Sequence, residues 1–169
     1  LSDPDITEEE YFEIISAKTG VLIAAACRIG CILSGLPEEK EKALSRFGMK
    51  TGIAFQLADD ILDYVAEQKD LGKRLGKDLA EGKITMPLIY LLRNTSQPEQ
   101  DEIKEIIKGQ GAGLSRILEL FSKYNAIEES LKAANALVED AKSELSVFPG
   151  SREKESLFAM AEYAMQREK

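Results

Sequence analysis

Residues 53–65 read I-A-F-Q-L-A-D-D-I-L-D-Y-V, and no lysine or arginine occurs between Lys50 and Lys69. Positions three and four apart share a helix face, so Gln56, Asp59, Asp60 and Asp63 form one polar stripe. Ile53, Ala54, Leu57, Ala58, Ile61, Leu62 and Val65 cover most of the remaining circumference. The pattern demands a largely buried helix. Three carboxylates clustered on it, with no cation among their helical neighbours, repel one another and should raise one another's pKa values. Either the stripe faces water or positive charge reaches it from elsewhere, and a divalent metal carried by a phosphate ligand meets that need.

The rest of the chain is helical in pattern, with no sustained period-two alternation. Thr7 and Glu10 form a capping box that opens a helix expected over about Glu8 to Ser34, stopped by Gly35 and Pro37. Its middle is apolar, but Lys18 and Arg28 leave too little uncharged length for the ~20 residues of a membrane span. A buried bundle helix is expected, with Gly20, Ala24, Ala25, Cys27, Gly30 and Cys31 admitting close neighbours. Pro37 suits the first turn of a second long helix, about Glu38 to Ala66, which carries the acidic stripe. The segment Leu71 to Lys83 breaks the pattern. Shorter helices follow over about Leu88 to Arg93, from Ser96 to Gly109, and over Leu114 to Tyr124. A long one is expected over about Ile127 to Phe148, and a last one capped by Ser151. The reading is a single all-α domain, residues 1–169, built as a helical bundle with two long helices.

At 169 residues the chain can bury a real core, and its net charge of −8 argues against nucleic-acid or anionic-membrane partners. It contains no histidine, which removes the usual general base and the commonest zinc ligand together. Cys27 and Cys31, four apart, read as small core residues and point to a reducing compartment. The polar, acidic N-terminus lacks a signal-peptide pattern. A cytoplasmic location is therefore expected. The helical spacing of the aspartates also excludes a calcium hand, which needs a glycine-containing loop. Mg²⁺, held by one or two carboxylates together with waters and phosphates, fits the stripe best.

Two further features supply the opposite charge. Lys73, Arg74, Lys77 and Lys83 stand among Gly72, Gly76 and Gly82 shortly beyond the stripe. Glycine lets backbone approach a ligand, and lysine is a mobile point charge suited to phosphate. Lys18 and Thr19 interrupt the apolar first helix. They read either as a snorkelling surface lysine or as an anion-binding pair facing a cavity.

Taken together, K-T-G at Lys18 to Gly20, F-Q-L-A-D-D-I-L-D at Phe55 to Asp63 and G-K-R-L-G-K-D-L-A-E-G-K-I-T-M-P-L at Gly72 to Leu88 resemble the C-terminal half of trans-isoprenyl diphosphate synthases, the polyprenyl synthetase family. The E-G-K-x-T-x-P-L variant leans toward bacterial medium- and long-chain synthases such as octaprenyl diphosphate synthase. The closing segment, L-F-A-M-A-E-Y-A-M-Q-R-E-K, is also similar. The resemblance implies an isoprenoid-synthase bundle, and Asp59, Asp60 and Asp63 correspond to the family's second aspartate-rich motif as Mg²⁺ ligands, Asp59 foremost. It further implies that Lys18, Thr19, Gln56, Lys73 and Lys83 bind the allylic diphosphate, with Asp59 and Lys18 carrying catalysis. The implied reaction is head-to-tail condensation of an allylic diphosphate with isopentenyl diphosphate.

The family's first aspartate-rich motif has no counterpart in this sequence, so the chain is expected to hold half of a site and to be inactive alone. Association is expected, either as a homodimer or with the missing N-terminal half. Two alternatives stand beside this reading: a noncatalytic partner subunit of a complete synthase, and a plain helical bundle with a solvated acidic face.

Overall fold

The computed structural model describes residues 3–65, 75–109 and 112–166, and every regular element among them is a helix. α1 spans Glu8–Ile15, a π-turn occupies Ser16–Gly20, and α2 follows over Val21–Leu33. α3 is the long helix Glu38–Val65, and α4 is one short turn, Lys77–Ala80. α5 (Met86–Asn94), α6 (Gln97–Lys108), α7 (Leu114–Tyr124), α8 (Ala126–Glu144) and α9 (Arg152–Tyr163) complete the chain, with a 3₁₀ turn at Leu145–Val147. Two differences from expectation stand out. The first helix is interrupted by its π-turn, and the basic glycine segment contains α4.

The chain forms two compact units, each assembled from two separated stretches. The first comprises Leu1–Tyr11 and Asp59–Lys132. Leu79, Ile84, Leu88, Leu91, Ile103, Ile117 and Leu120 are fully buried there. Tyr64 meets Phe121 edge to face, ring centres 5.0 Å apart. The Thr7–Glu10 capping box forms as expected: Thr7 N–H donates to Glu10 at 2.8 Å and Glu10 N–H returns to Thr7 Oγ1 at 3.2 Å. A second box, Ser96 with Glu99, starts α6. Lys104 pairs with Asp5 at 2.6 Å and Arg93 pairs with Glu8, which ties the N-terminal stretch to α6 and α5.

The second unit comprises Phe12–Ala58 and Ala133–Lys169. Phe47, Ala54, Val138, Ala141, Leu145 and Ala161 form its buried centre. Glycine sets how closely α3 approaches the preceding helix. A Cβ on Gly48 would lie 2.8 Å from the Ile23 carbonyl oxygen, and one on Gly52 would lie 2.7 Å from Gly20 Cα. Glu144 of α8 takes Arg46 at 2.6 Å and Lys50 at 2.8 Å, both from α3. Both cysteines are free thiols: Cys31 is buried and Cys27 half-buried.

The expectation of a buried first helix is overturned on one face. Leu22 is 73% exposed and Leu33 82%, and Val21, Ile29 and Ile32 are exposed beside them. Glu8–Leu33 is also long and apolar enough to cross a membrane by length and composition, even with Lys18 and Arg28 in it. Only the opposite face, through Ala24 and Cys31, is buried.

Candidate functional site

α3 carries Gln56, Asp59, Asp60 and Asp63 on one continuous helix, as the spacing requires. In the first unit the three carboxylates have different surroundings. Asp59 is exposed. Asp60 is 5% exposed, and its Oδ2 accepts the Tyr11 hydroxyl at 2.7 Å. Asp63 turns toward α4, where Oδ1 accepts Lys77 N–H at 3.2 Å and Oδ2 accepts Asp78 N–H at 2.8 Å. Among the described residues, no three carboxylates or other metal-ligating groups converge into a preformed metal cage.

At Asp63 the electrostatics differ from simple repulsion along the stripe. Burial is the main cause that pushes the Asp63 carboxyl above its ordinary value, and the backbone N–H groups of α4 partly oppose it. The like charge that adds to the rise is Asp78, which the sequence reading had not singled out. Tyr11 is pushed well above the usual phenol range, first by burial and then by the negative charge of Asp60, so its hydroxyl stays a donor.

Lys73 and Arg74 lie outside the described residues; within them are Lys77, at the start of α4, and Lys83. The Lys83 ammonium contacts Glu81 at 2.6 Å and Asp78 at 3.0 Å, and these two carboxylates hold it well above the ordinary lysine pKa. The segment turns at Gly76 and Gly82, each with φ of 70°, a left-handed conformation that glycine adopts without strain.

In the second unit, Lys18 and Thr19 sit within the π-turn, which is closed by Val21 N–H donating to Ser16 O. Single π-turns inside helices recur at functional sites because they re-aim the side chains they carry. Lys18 is exposed. Thr19 Oγ1 donates to Gln56 Oε1 at 3.0 Å, and Gln56 is 6% exposed. Two residues expected to bind one substrate group are therefore in direct contact. Sequence reasoning missed Tyr11, whose 49-residue separation from Asp60 leaves no local signal, and Asp78, hidden among the charges of its segment.

Every regular element among the described residues is a helix, the longest carries the aspartate-rich stripe, and the polyprenyl synthase structures that the chain matches make this the isoprenoid-synthase type of fold. Residues 1–124 match the polyprenyl synthetase family, and the chain belongs to it. The sequence is 38% identical over 172 residues to the octaprenyl diphosphate synthase of Escherichia coli K12, covering all of this chain and 53% of that protein. The fold matches a decaprenyl diphosphate synthase from Rhodobacter capsulatus with a TM-score of 0.90 at 32% identity, over 99% of this chain and 53% of the other. It matches equally, TM-score 0.90 at 34% identity, a polyprenyl synthase from Caulobacter crescentus CB15 complexed with calcium and isoprenyl diphosphate, over 99% of this chain and 52% of that one. The chain thus spans about half the length of the relatives it matches.

Proposed function

We propose that the whole protein is a prenyltransferase that joins an allylic diphosphate head to tail to isopentenyl diphosphate, and that this chain carries the second aspartate-rich half of its site. The observation that carries this reading is the F-Q-x-x-D-D-x-x-D stripe lying along one helix, α3, in a chain of the polyprenyl synthetase family.

The donor set suits Mg²⁺. It consists of hard carboxylate oxygens, with no histidine anywhere in the chain. Asp59 and Asp60 are the residues that would hold the ion, with the exposed Asp59 foremost, and Asp63 completes the acidic stripe beside them. When bound, Mg²⁺ supplies charge neutralisation to the diphosphate leaving group. Lys18, Lys73 and Lys83 offer ammonium donors to the same group, and the Thr19–Gln56 bond fixes the orientation of two more polar side chains for it. The allylic C–O bond breaks, and the double-bond electrons of isopentenyl diphosphate form the new C–C bond. A proton then leaves to the departed diphosphate. No side-chain base is needed from this half of the site, which contains no histidine.

The exposed apolar stripe of α2 supports association with another surface, either a second copy of the chain or the remainder of the family's length. The two free thiols support a cytoplasmic setting. The test is incorporation of labelled isopentenyl diphosphate by the protein as its gene encodes it. Mg²⁺-dependent product, reduced about a hundredfold or more by Asp59→Ala, supports the reading. Product that appears only when a complete synthase is added identifies a partner subunit instead. Full activity in the Asp59→Ala variant overturns the site.

A further inference from the structure

Asp63 is the third aspartate of the stripe, and it is engaged differently from the other two. Each carboxylate oxygen accepts one backbone N–H from the first turn of α4, Lys77 at 3.2 Å and Asp78 at 2.8 Å. The Asp63 carbonyl also accepts Gly76 N–H at 2.8 Å. Asp63 therefore accepts three hydrogen bonds that hold the start of α4 against the end of α3. The fit there is tight. Gly76 is left-handed, and a Cβ there would lie 2.7 Å from Leu114 Cδ1.

The connection continues beyond α4. The Asp78 carbonyl accepts Lys83 N–H at 2.8 Å, and the Asp78 carboxylate accepts the Lys83 ammonium at 3.0 Å. A continuous path runs from Asp63 through Asp78 to the charge of Lys83. A carboxylate that binds a cation directs lone pairs at it. Here one lone pair of each oxygen is taken by an N–H group, whose positive end would lie beside any cation bound at the other.

We propose that Asp63 is a positioning residue and not a metal ligand: it clamps the first turn of α4, and through Asp78 it sets where Lys83 presents its ammonium to a diphosphate. The proposal refines the site assigned above and rests on that reading, in which Asp59 is the foremost metal-binding carboxylate.

The test is calorimetric titration of inorganic diphosphate into the full chain at a series of Mg²⁺ concentrations. Asp63→Asn keeps the side chain's size but replaces one acceptor with a donor, so it breaks half of the clamp. The expected result is about tenfold weaker diphosphate binding, with the half-saturating Mg²⁺ concentration within about twofold of the parent. Added to Lys83→Met, it should weaken binding by no more than about twofold further, because the two changes lie on one path. Asp78→Asn, which leaves the backbone clamp in place, should give the same split and guards against poor folding of the first variant. The proposal is overturned if Asp63→Asn raises the Mg²⁺ requirement as much as Asp59→Asn does. It is equally overturned if the effects of Asp63→Asn and Lys83→Met multiply. Should Asp59→Asn leave the Mg²⁺ requirement unchanged, the underlying site assignment fails, a result distinct from either of these.

Discussion

The Tyr11 hydroxyl donates to Asp60 Oδ2 at 2.7 Å, joining two buried side chains 49 residues apart. The bond ties the start of α1 to the middle of the acidic stripe and fixes one oxygen of a carboxylate in the candidate site. Tyr11→Phe keeps the ring and removes the hydroxyl, with this bond and the contact it makes to the Met86 backbone. A hydrogen bond to a charged, buried acceptor contributes about 2 kcal/mol, so the variant should unfold at correspondingly lower urea, with the slope of the transition unchanged. An unshifted midpoint would show that Asp60 is satisfied without Tyr11.

Two glycines predict opposite outcomes for the same substitution. A Cβ on Gly52 would lie 2.7 Å from Gly20 Cα, backbone against backbone, so Gly52→Ala must push two helices apart and should cost about 1–3 kcal/mol. Nothing lies within 4 Å of a Cβ on Gly30, which is exposed within α2. Gly30→Ala should therefore stabilise by about 0.5–1 kcal/mol through the helix propensity of alanine. Thermal melting of the two variants checks both signs.

Much of the fold could be read from spacing alone. α7 occupies Leu114–Tyr124 as its apolar period and flanking glycines require, and Ser151 accepts Lys154 N–H at the start of α9. The α3 boundary at Glu38 follows from Pro37. The π-turn at Ser16–Gly20 could not be read, because it adds one residue to a turn within an otherwise helical pattern and no residue type marks it. The apolar face of α2 was misread for a different reason. Hydrophobicity predicts that Leu22 and Leu33 want cover, but it does not say that this chain supplies the cover. At the site, the residue types were legible and the partners were not. Carboxylates without local cations called for water or for positive charge from elsewhere, and spacing could not show that Asp60 also meets a phenol and Asp63 two backbone amides.

Glu99 makes the first unit sensitive to acid. Lys123, then Tyr124 and Ser96, hold its carboxyl down at about 2, against an ordinary value of 4.5. A carboxyl depressed in the folded state stabilises above its unfolded pKa, and that stability is lost as pH falls through the folded value. Stability should therefore decline from about pH 4.5 toward pH 2. In Glu99→Gln the decline should be shallower over the same window. Urea midpoints measured across this range for parent and variant decide the point, and parallel curves would rule the contribution out.

The exposed stripe of α2 predicts association. Leu22 and Leu33 present large apolar side chains to solvent with Val21, Ile29 and Ile32. The chain should elute above monomer size in gel filtration, and Leu22→Glu with Leu33→Glu should return it toward monomer size. A parent protein that remains monomeric at high concentration would remove this prediction.

Calorimetric titration of inorganic diphosphate, with and without Mg²⁺, decides whether the acidic stripe is half of a metal–diphosphate site. Binding should require Mg²⁺ and fall at least about tenfold in Asp59→Ala and in Lys18→Ala, while Gly30→Ala binds like the parent. Diphosphate binding that is indifferent to Mg²⁺, or unchanged in both site variants, would contradict that assignment.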